Sequence, residues 1–222
     1  MSSIFDYDGV LMQTLSKLFD LVVVGILWII GCIPIITLGA STTAMYSVLM
    51  KIVRGESYGV LKAFWKSFKG NFKQATIIWL IFLAIFLVLA LDFYLSLWLV
   101  NATLKAVLFI FFIFLTVVAL CMFLYVFPLQ ACFYNTIRQT LQNAFFFSLG
   151  NMFRTILMVV FDAALIVICI VVPQLSIFMG VIVALVNTLL IRKPFSKYMD
   201  ANPEEAETEE ESEMEETAAI EE

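Results

Sequence analysis

The chain has 222 residues, 63% of them apolar and only 14% charged, with a mean hydropathy of +1.01. Soluble domains run near half apolar and a quarter charged, so these values exclude an ordinary soluble globule and point to an integral membrane protein. The formal charge of −5 joins two unlike parts: twelve of the 18 acids lie in 200–222, and the other six face all 13 Lys and Arg, so residues 1–199 carry a net +7.

Residues 1–16 are short and mixed, with Asp6 and Asp8. No signal peptide with a cleavage site is recognisable there, and the first apolar run is expected to remain as a span. That span covers about 15–36, entered past Lys17 and Asp20, which lie three residues apart and can pair on one helix face. Pro34 should stop or kink it, because proline lacks a backbone donor and disfavours helix in the residue before it. The small residues that follow, Gly39, Ala40, Ser41, Thr42, Thr43 and Ala44, permit close helix approach, and their hydroxyls, with that of Thr37, can satisfy groups freed by the proline. Pro34, Thr37, Gly39, Ala40, Ser41 and Ala44 are thus a candidate packing motif, with a cavity lining as the alternative. The apolar helix over 38–53 ends at Lys51 and Arg54 and is about 24 Å long, marginal for a crossing.

The stretch Phe64-Trp-Lys-Ser-Phe-Lys-Gly-Asn-Phe-Lys73 comes next. On a helix, Phe64, Phe68 and Phe72 share one stripe, flanked by Lys62, Lys66, Lys69 and Lys73, with Asn71 between. A basic amphipathic helix beside a span is expected in the cytoplasmic interface, against anionic headgroups. An aromatic-rich span then runs from 75 to about 100, with Trp79 and Trp98 suited to its two interfaces. Asn101-Ala-Thr103 matches a glycosylation acceptor, but the loop is so short that the match reads as accidental. The next span, 106–127, should break at Pro128, ahead of a polar helix over 131–147. A span over 153–172, a hairpin at Pro173-Gln-Leu-Ser176 and a return over 177–191, stopping at Arg192-Lys-Pro194, complete the apolar part.

The result is an all-α, polytopic membrane helix bundle over 1–199. Loops holding 51–73, 138–154 and 192–197 carry eleven Lys or Arg against Lys105 alone opposite, which places the first group in the cytoplasm. Six spans put both termini inside; if 38–53 only dips in, there are five and the N-terminus lies outside. Segment 200–222 cannot bury enough apolar surface to order itself and reads as a disordered acidic cytoplasmic tail. Ala63-Phe-Trp-Lys-Ser67 with Gly70-Asn71 is echoed by Ala144-Phe-Phe-Phe-Ser148 with Gly150-Asn151, either as a parallel repeat or by chance in Phe-rich sequence.

No catalysis and no cofactor are expected. There is no nucleotide-binding glycine loop, and no nucleophile lies beside a base. Cys32, Cys121, Cys132 and Cys169 have no paired spacing and read as small buried hydrophobes, and histidine is absent from the sequence. Asp162, in the middle of the fifth long apolar run, is the residue most worth singling out. A carboxylate in hydrocarbon is costly and faces the bundle interior, a cavity or a partner. It is read as a neutral acid bonded between helices, with a proton- or substrate-linked site and a subunit contact as alternatives. Asn187, central in the last span, is its plausible partner.

The run Pro34-Ile-Ile-Thr-Leu-Gly-Ala-Ser-Thr-Thr-Ala44, with Tyr46, Lys51, Arg54-Gly-Glu56 and the 64–74 stretch, resembles the YesL-like family of bacterial membrane proteins. The resemblance extends over 15–199. It implies a bacterial plasma-membrane location and an accessory role in carbohydrate import beside transporter membrane subunits, and brings no catalytic residues. Nucleic acid is not an expected partner. A small stand-alone transporter or channel is the competing reading; it should bring several polar groups together at mid-membrane.

Overall fold

The computed structural model describes residues 10–56, 59–99, 101–133, 135–172 and 176–201. Among them the fold is entirely helical: α1 (Val10–Cys32), α2 (Leu38–Arg54), α3 (Val60–Ser96), α4 (Ala102–Cys132), α5 (Ile137–Gly150), α6 (Met152–Val171) and α7 (Ser176–Ala201), with a 3-10 turn at Ile35–Thr37 between the first two. Six helices are long and apolar enough to cross a membrane, all except α5.

The α1–α2 corner follows from Pro34. The helix stops at Cys32, and the Thr37 hydroxyl turns back to donate to the carbonyls of Gly31 (2.7 Å) and Pro34 (2.8 Å). α2 ends on Gly55, in the left-handed region at φ 76°, where a side chain would be strained. The Gly55 N–H donates to Ile52 O and the Glu56 N–H to Lys51 O, the pair of hydrogen bonds that closes a Schellman motif. Lys51 and Arg54 sit in the last turn, where cations favour the negative end of the helix dipole.

Short as it is, α2 is the helix the bundle is built around, touching α1, α3, α4 and α7. Ala40, Ser41, Thr43, Ala44, Val48 and Leu49 are fully buried along it. Ala44, Val48 and Leu49 join one core with Val24 of α1, Phe64, Ile78 and Phe82 of α3, Tyr125, Val126 and Leu129 of α4, Met158 of α6 and Ile191 of α7. The outer faces of α1, α4 and α6 remain apolar and exposed, as lipid-facing helices require.

Four junctions differ from the sequence reading. The basic stretch is not a separate interfacial helix: it is the first part of α3, which continues without interruption through 37 residues. At about 1.5 Å per residue α3 is some 55 Å long, well beyond the roughly 30 Å of a hydrocarbon core. α4 does not break at Pro128 but runs on to Cys132, and α5 begins only at Ile137. Val126, Phe127, Leu129 and Gln130 around the proline are all buried, so packing holds a turn that proline alone would open. α7 likewise passes Pro194 and reaches Ala201. Its last turns are pinned by buried Phe195, whose ring meets Phe133 at 5.5 Å and Phe147 at 5.2 Å. Finally, the two echoed stretches fold differently. Asn71 sits inside α3, whereas Asn151 separates α5 from α6, although each side-chain amide donates to the carbonyl four residues back. Residues 173–175 of the expected hairpin and residues 202–222 of the acidic segment lie outside the described residues.

Candidate functional site

Asp162 is the eleventh of the 20 residues of α6, about 15 Å from its start and thus near its midpoint. It lies on the side of α6 that carries Thr155 and Met158, the inward stripe of a helix exposed over most of its surface. Asn187, on α7, is 1% exposed, and its Nδ2 donates to Asp162 Oδ2 at 3.2 Å. The two polar residues singled out in different spans are therefore brought together. A third group joins them. Tyr46 of α2, 6% exposed, lies within electrostatic range of Asn187 and Asp162. Asp162 Oδ1 and Asn187 Oδ1 are both buried and have no protein donor. Both vacant positions are acceptors, so the cluster is complementary to a proton or another hydrogen-bond donor. No group of three His, Cys, Asp or Glu side chains suited to a metal occurs among the described residues.

The small-residue run sits where three helices meet. A Cβ at Gly39 would overlap the carbonyl oxygen of Ala75 and stand 2.7 Å from Trp79 Cβ, so α2 approaches the α3 backbone directly. Toward α1, the Ser41 hydroxyl donates to the Trp28 carbonyl (2.9 Å) and the Trp28 indole to Thr42 Oγ1 (3.2 Å). Ala40 and Ala44 are fully buried, and Thr43 donates back to Gly39 O at 2.9 Å. Pro34 and Thr37 make the corner described above.

In the basic half of α3, Phe64 is buried and Phe72 40% exposed, with the ring of Phe68 between them at 6.2 and 5.5 Å. The aromatic stripe thus passes from core to surface along the helix. Lys62, Lys69 and Lys73 are exposed and Lys66 is half-buried. Asn71 accepts from Gln130 Nε2 at 3.1 Å, Gln130 Oε1 accepts from the buried Thr140 hydroxyl at 3.2 Å, and Gln74 donates to the Asn135 carbonyl. This chain ties α3 to the end of α4 and to α5.

Several of these residues were not assigned these roles in the sequence. Tyr46 lies on a helix distant in the chain, and a tyrosine in an apolar run carries no local signal. The Tyr125 hydroxyl and Thr155 Oγ1 lie 3.0 Å apart, and Thr155 also donates to Ser148 O at 2.9 Å, joining α4, α5 and α6. Thr136 did have a signal. With Gln139 three residues on it forms a capping box at the start of α5, the pattern that marks a helix N-terminus. Asn101 caps α4, its Oδ1 accepting from Thr103 N and Leu104 N, which gives the glycosylation-like triplet a structural role.

Compared with known protein families, residues 21–93 match one described as "Protein of unknown function, DUF624". The matched stretch holds about half of α1, the proline corner, α2 and nearly all of α3, and stops before Asp162 and Asn187. The curated proteins and the solved structures gave no match to this chain.

Proposed function

We propose that the chain is a non-enzymatic, multi-pass protein of the bacterial plasma membrane, of the YesL-like kind. It would serve as an accessory or scaffold subunit of a carbohydrate ABC-type uptake system, bound to transporter membrane subunits, with its C-terminus in the cytoplasm. One observation carries the choice of class: the buried polar side chains that do not bond back to their own helix tie one helix to another. Ser41 bonds α1, Thr155 links α4 and α5, and Gln130 links α3 and α5. Such ties fix a scaffold. A translocation path needs polar groups free to exchange partners with a substrate.

The second reading, a stand-alone transporter or channel, draws on the Tyr46–Asn187–Asp162 cluster, whose two acceptor oxygens lack a protein donor. Two measurements separate these readings. Purification from the native host in mild detergent should recover the membrane subunits of a sugar importer at fixed stoichiometry, and deleting the gene should lower sugar uptake. Sugar or ion flux in liposomes holding this chain alone, with no importer subunits recovered from the host, would overturn the accessory reading.

A further inference from the structure

Lys62, Lys66, Lys69 and Lys73 are spaced four, three and four residues apart along α3, so they form one row on one side of a helix, about 16 Å long. Lys62, Lys69 and Lys73 are exposed, and beside them stand the exposed apolar side chains Leu61, Trp65 and Phe72. Residues 60–74 contain no acid. Beyond Ala201 the chain continues for 21 residues, eleven of them Glu and none Lys or Arg.

The root of that segment lies near the row. Phe195, six residues before the end of α7, packs on Phe133. Two residues beyond Phe133, the carbonyl of Asn135 accepts from Gln74, the neighbour of Lys73. Phe195 and the Lys73 end of the row are therefore linked through 133–135 at one end of the bundle, and α7 runs on for six residues, about 9 Å, beyond Phe195.

We propose that the acidic segment 202–222 docks along the lysine row of α3, covering it from within the same chain. At coil dimensions 21 residues span about 25 Å root-mean-square, longer than the row itself. Tethering holds it at roughly millimolar effective concentration without a partner having to be recruited. Complementarity is one-sided in each element, a row without acids against a segment without bases, so no register is needed for the exposed Lys62, Lys69 and Lys73 to meet carboxylates. Surface ion pairs are weak singly, but several engaged together on a tether add up. The same negative charge repels the segment from an anionic leaflet and favours the basic side chains of the chain itself, of which the lysine row is the longest uninterrupted set. This inference does not depend on the accessory reading.

The test uses the full chain in nanodiscs of zwitterionic lipid at low salt, treated with a carbodiimide that joins carboxylates to amines in direct contact. Peptide mapping should find segment 202–222 joined to Lys62, Lys66, Lys69 or Lys73, and the joins should be lost at about 1 M salt, where screening acts within about 3 Å. Joins confined to Lys193 and Lys197, beside the root, or no joins at all, would overturn the proposal. A spin label at Ser212→Cys, in a chain freed of its native cysteines, provides a second readout. Lys62→Gln, Lys66→Gln, Lys69→Gln and Lys73→Gln combined should raise its mobility severalfold, and unchanged mobility counts against docking. The rival occupant is lipid. If anionic discs protect the row from an amine-acetylating reagent equally with and without residues 202–222, and zwitterionic discs show no protection with either, headgroups hold the row and the proposal fails.

Discussion

Asp162 has one protein hydrogen bond where a carboxylate can accept several, and Asn187 has its amide oxygen vacant beside it. A single proton on the carboxyl gives the pair a donor without bringing a charge into the bundle, which suits a carboxyl group at the midpoint of a spanning helix. Asn at position 162 offers the same shape, an acceptor for Asn187 and a donor of its own. Asp162→Asn is therefore expected to leave folded yield and assembly close to wild type. Asp162→Leu strands the Asn187 amide and should cost about 1–3 kcal/mol, read as a lower melting temperature in detergent. Normal assembly of Asp162→Asn with sugar uptake abolished would show that the carboxyl does more than hold helices together. The 162–187 pairing could be anticipated because polar residues are rare in apolar runs and must find one another. Tyr46 could not, since its hydroxyl becomes informative only once α2 is placed against α7.

Spans declare themselves by hydropathy, and the helices found agree with the apolar runs read along the chain. Junctions do not, because local rules there compete with packing. Pro34 ends a helix where the next residues turn a corner, yet Pro128 and Pro194 sit inside helices whose neighbours are buried. Composition describes both situations alike. The contact between α2 and α3 gives a direct test of this scale. Gly39 lies against the Ala75 carbonyl, and backbone cannot rotate away as a side chain can. Gly39→Ala should thus force the helices apart and cost about 1–3 kcal/mol, the usual range for overpacking. Ala44→Leu, at a fully buried position of the same helix, should also lower folded yield. Gly70 is the control, for a Cβ there meets nothing within 4 Å. Gly70→Ala should be neutral or stabilising by up to about 1 kcal/mol through helix propensity. Equal melting temperatures for Gly39→Ala and Gly70→Ala would mean that α2 does not press on α3 in the membrane.

At the scale of the whole molecule, orientation follows from where the cations lie, and the structure gathers several of their carriers at one end. The chain Asn71–Gln130–Thr140 binds the basic half of α3 to α5, and Phe195 binds the end of α7 to Phe133 and Phe147. These elements share one end of the bundle, and the bias of Lys and Arg toward the inner side of membrane proteins is why we propose that this end faces the cytoplasm. In a chain with Cys32, Cys121, Cys132 and Cys169 replaced, cysteines at Lys69 and Ser212 should resist an impermeant thiol reagent in intact cells and react once the cells are opened. Ala102→Cys, in the exposed first turn of α4 at the opposite end of that helix, should react in intact cells. Ser3→Cys decides the number of crossings. With α2 spanning, six crossings return the N-terminus to the cytoplasm and Ser3→Cys is protected; with α2 dipping in, five crossings leave it outside and it reacts. The structure has six helices long and apolar enough to cross, with α2 among them and in contact with four others, so protection is expected. Reaction at Ser3→Cys with protection at Lys69→Cys would leave the cytoplasmic face intact but reduce α2 to a helix that enters the membrane without crossing it. Reaction at Lys69→Cys in intact cells would invert the whole molecule, placing its basic end outside against the bias of its charges.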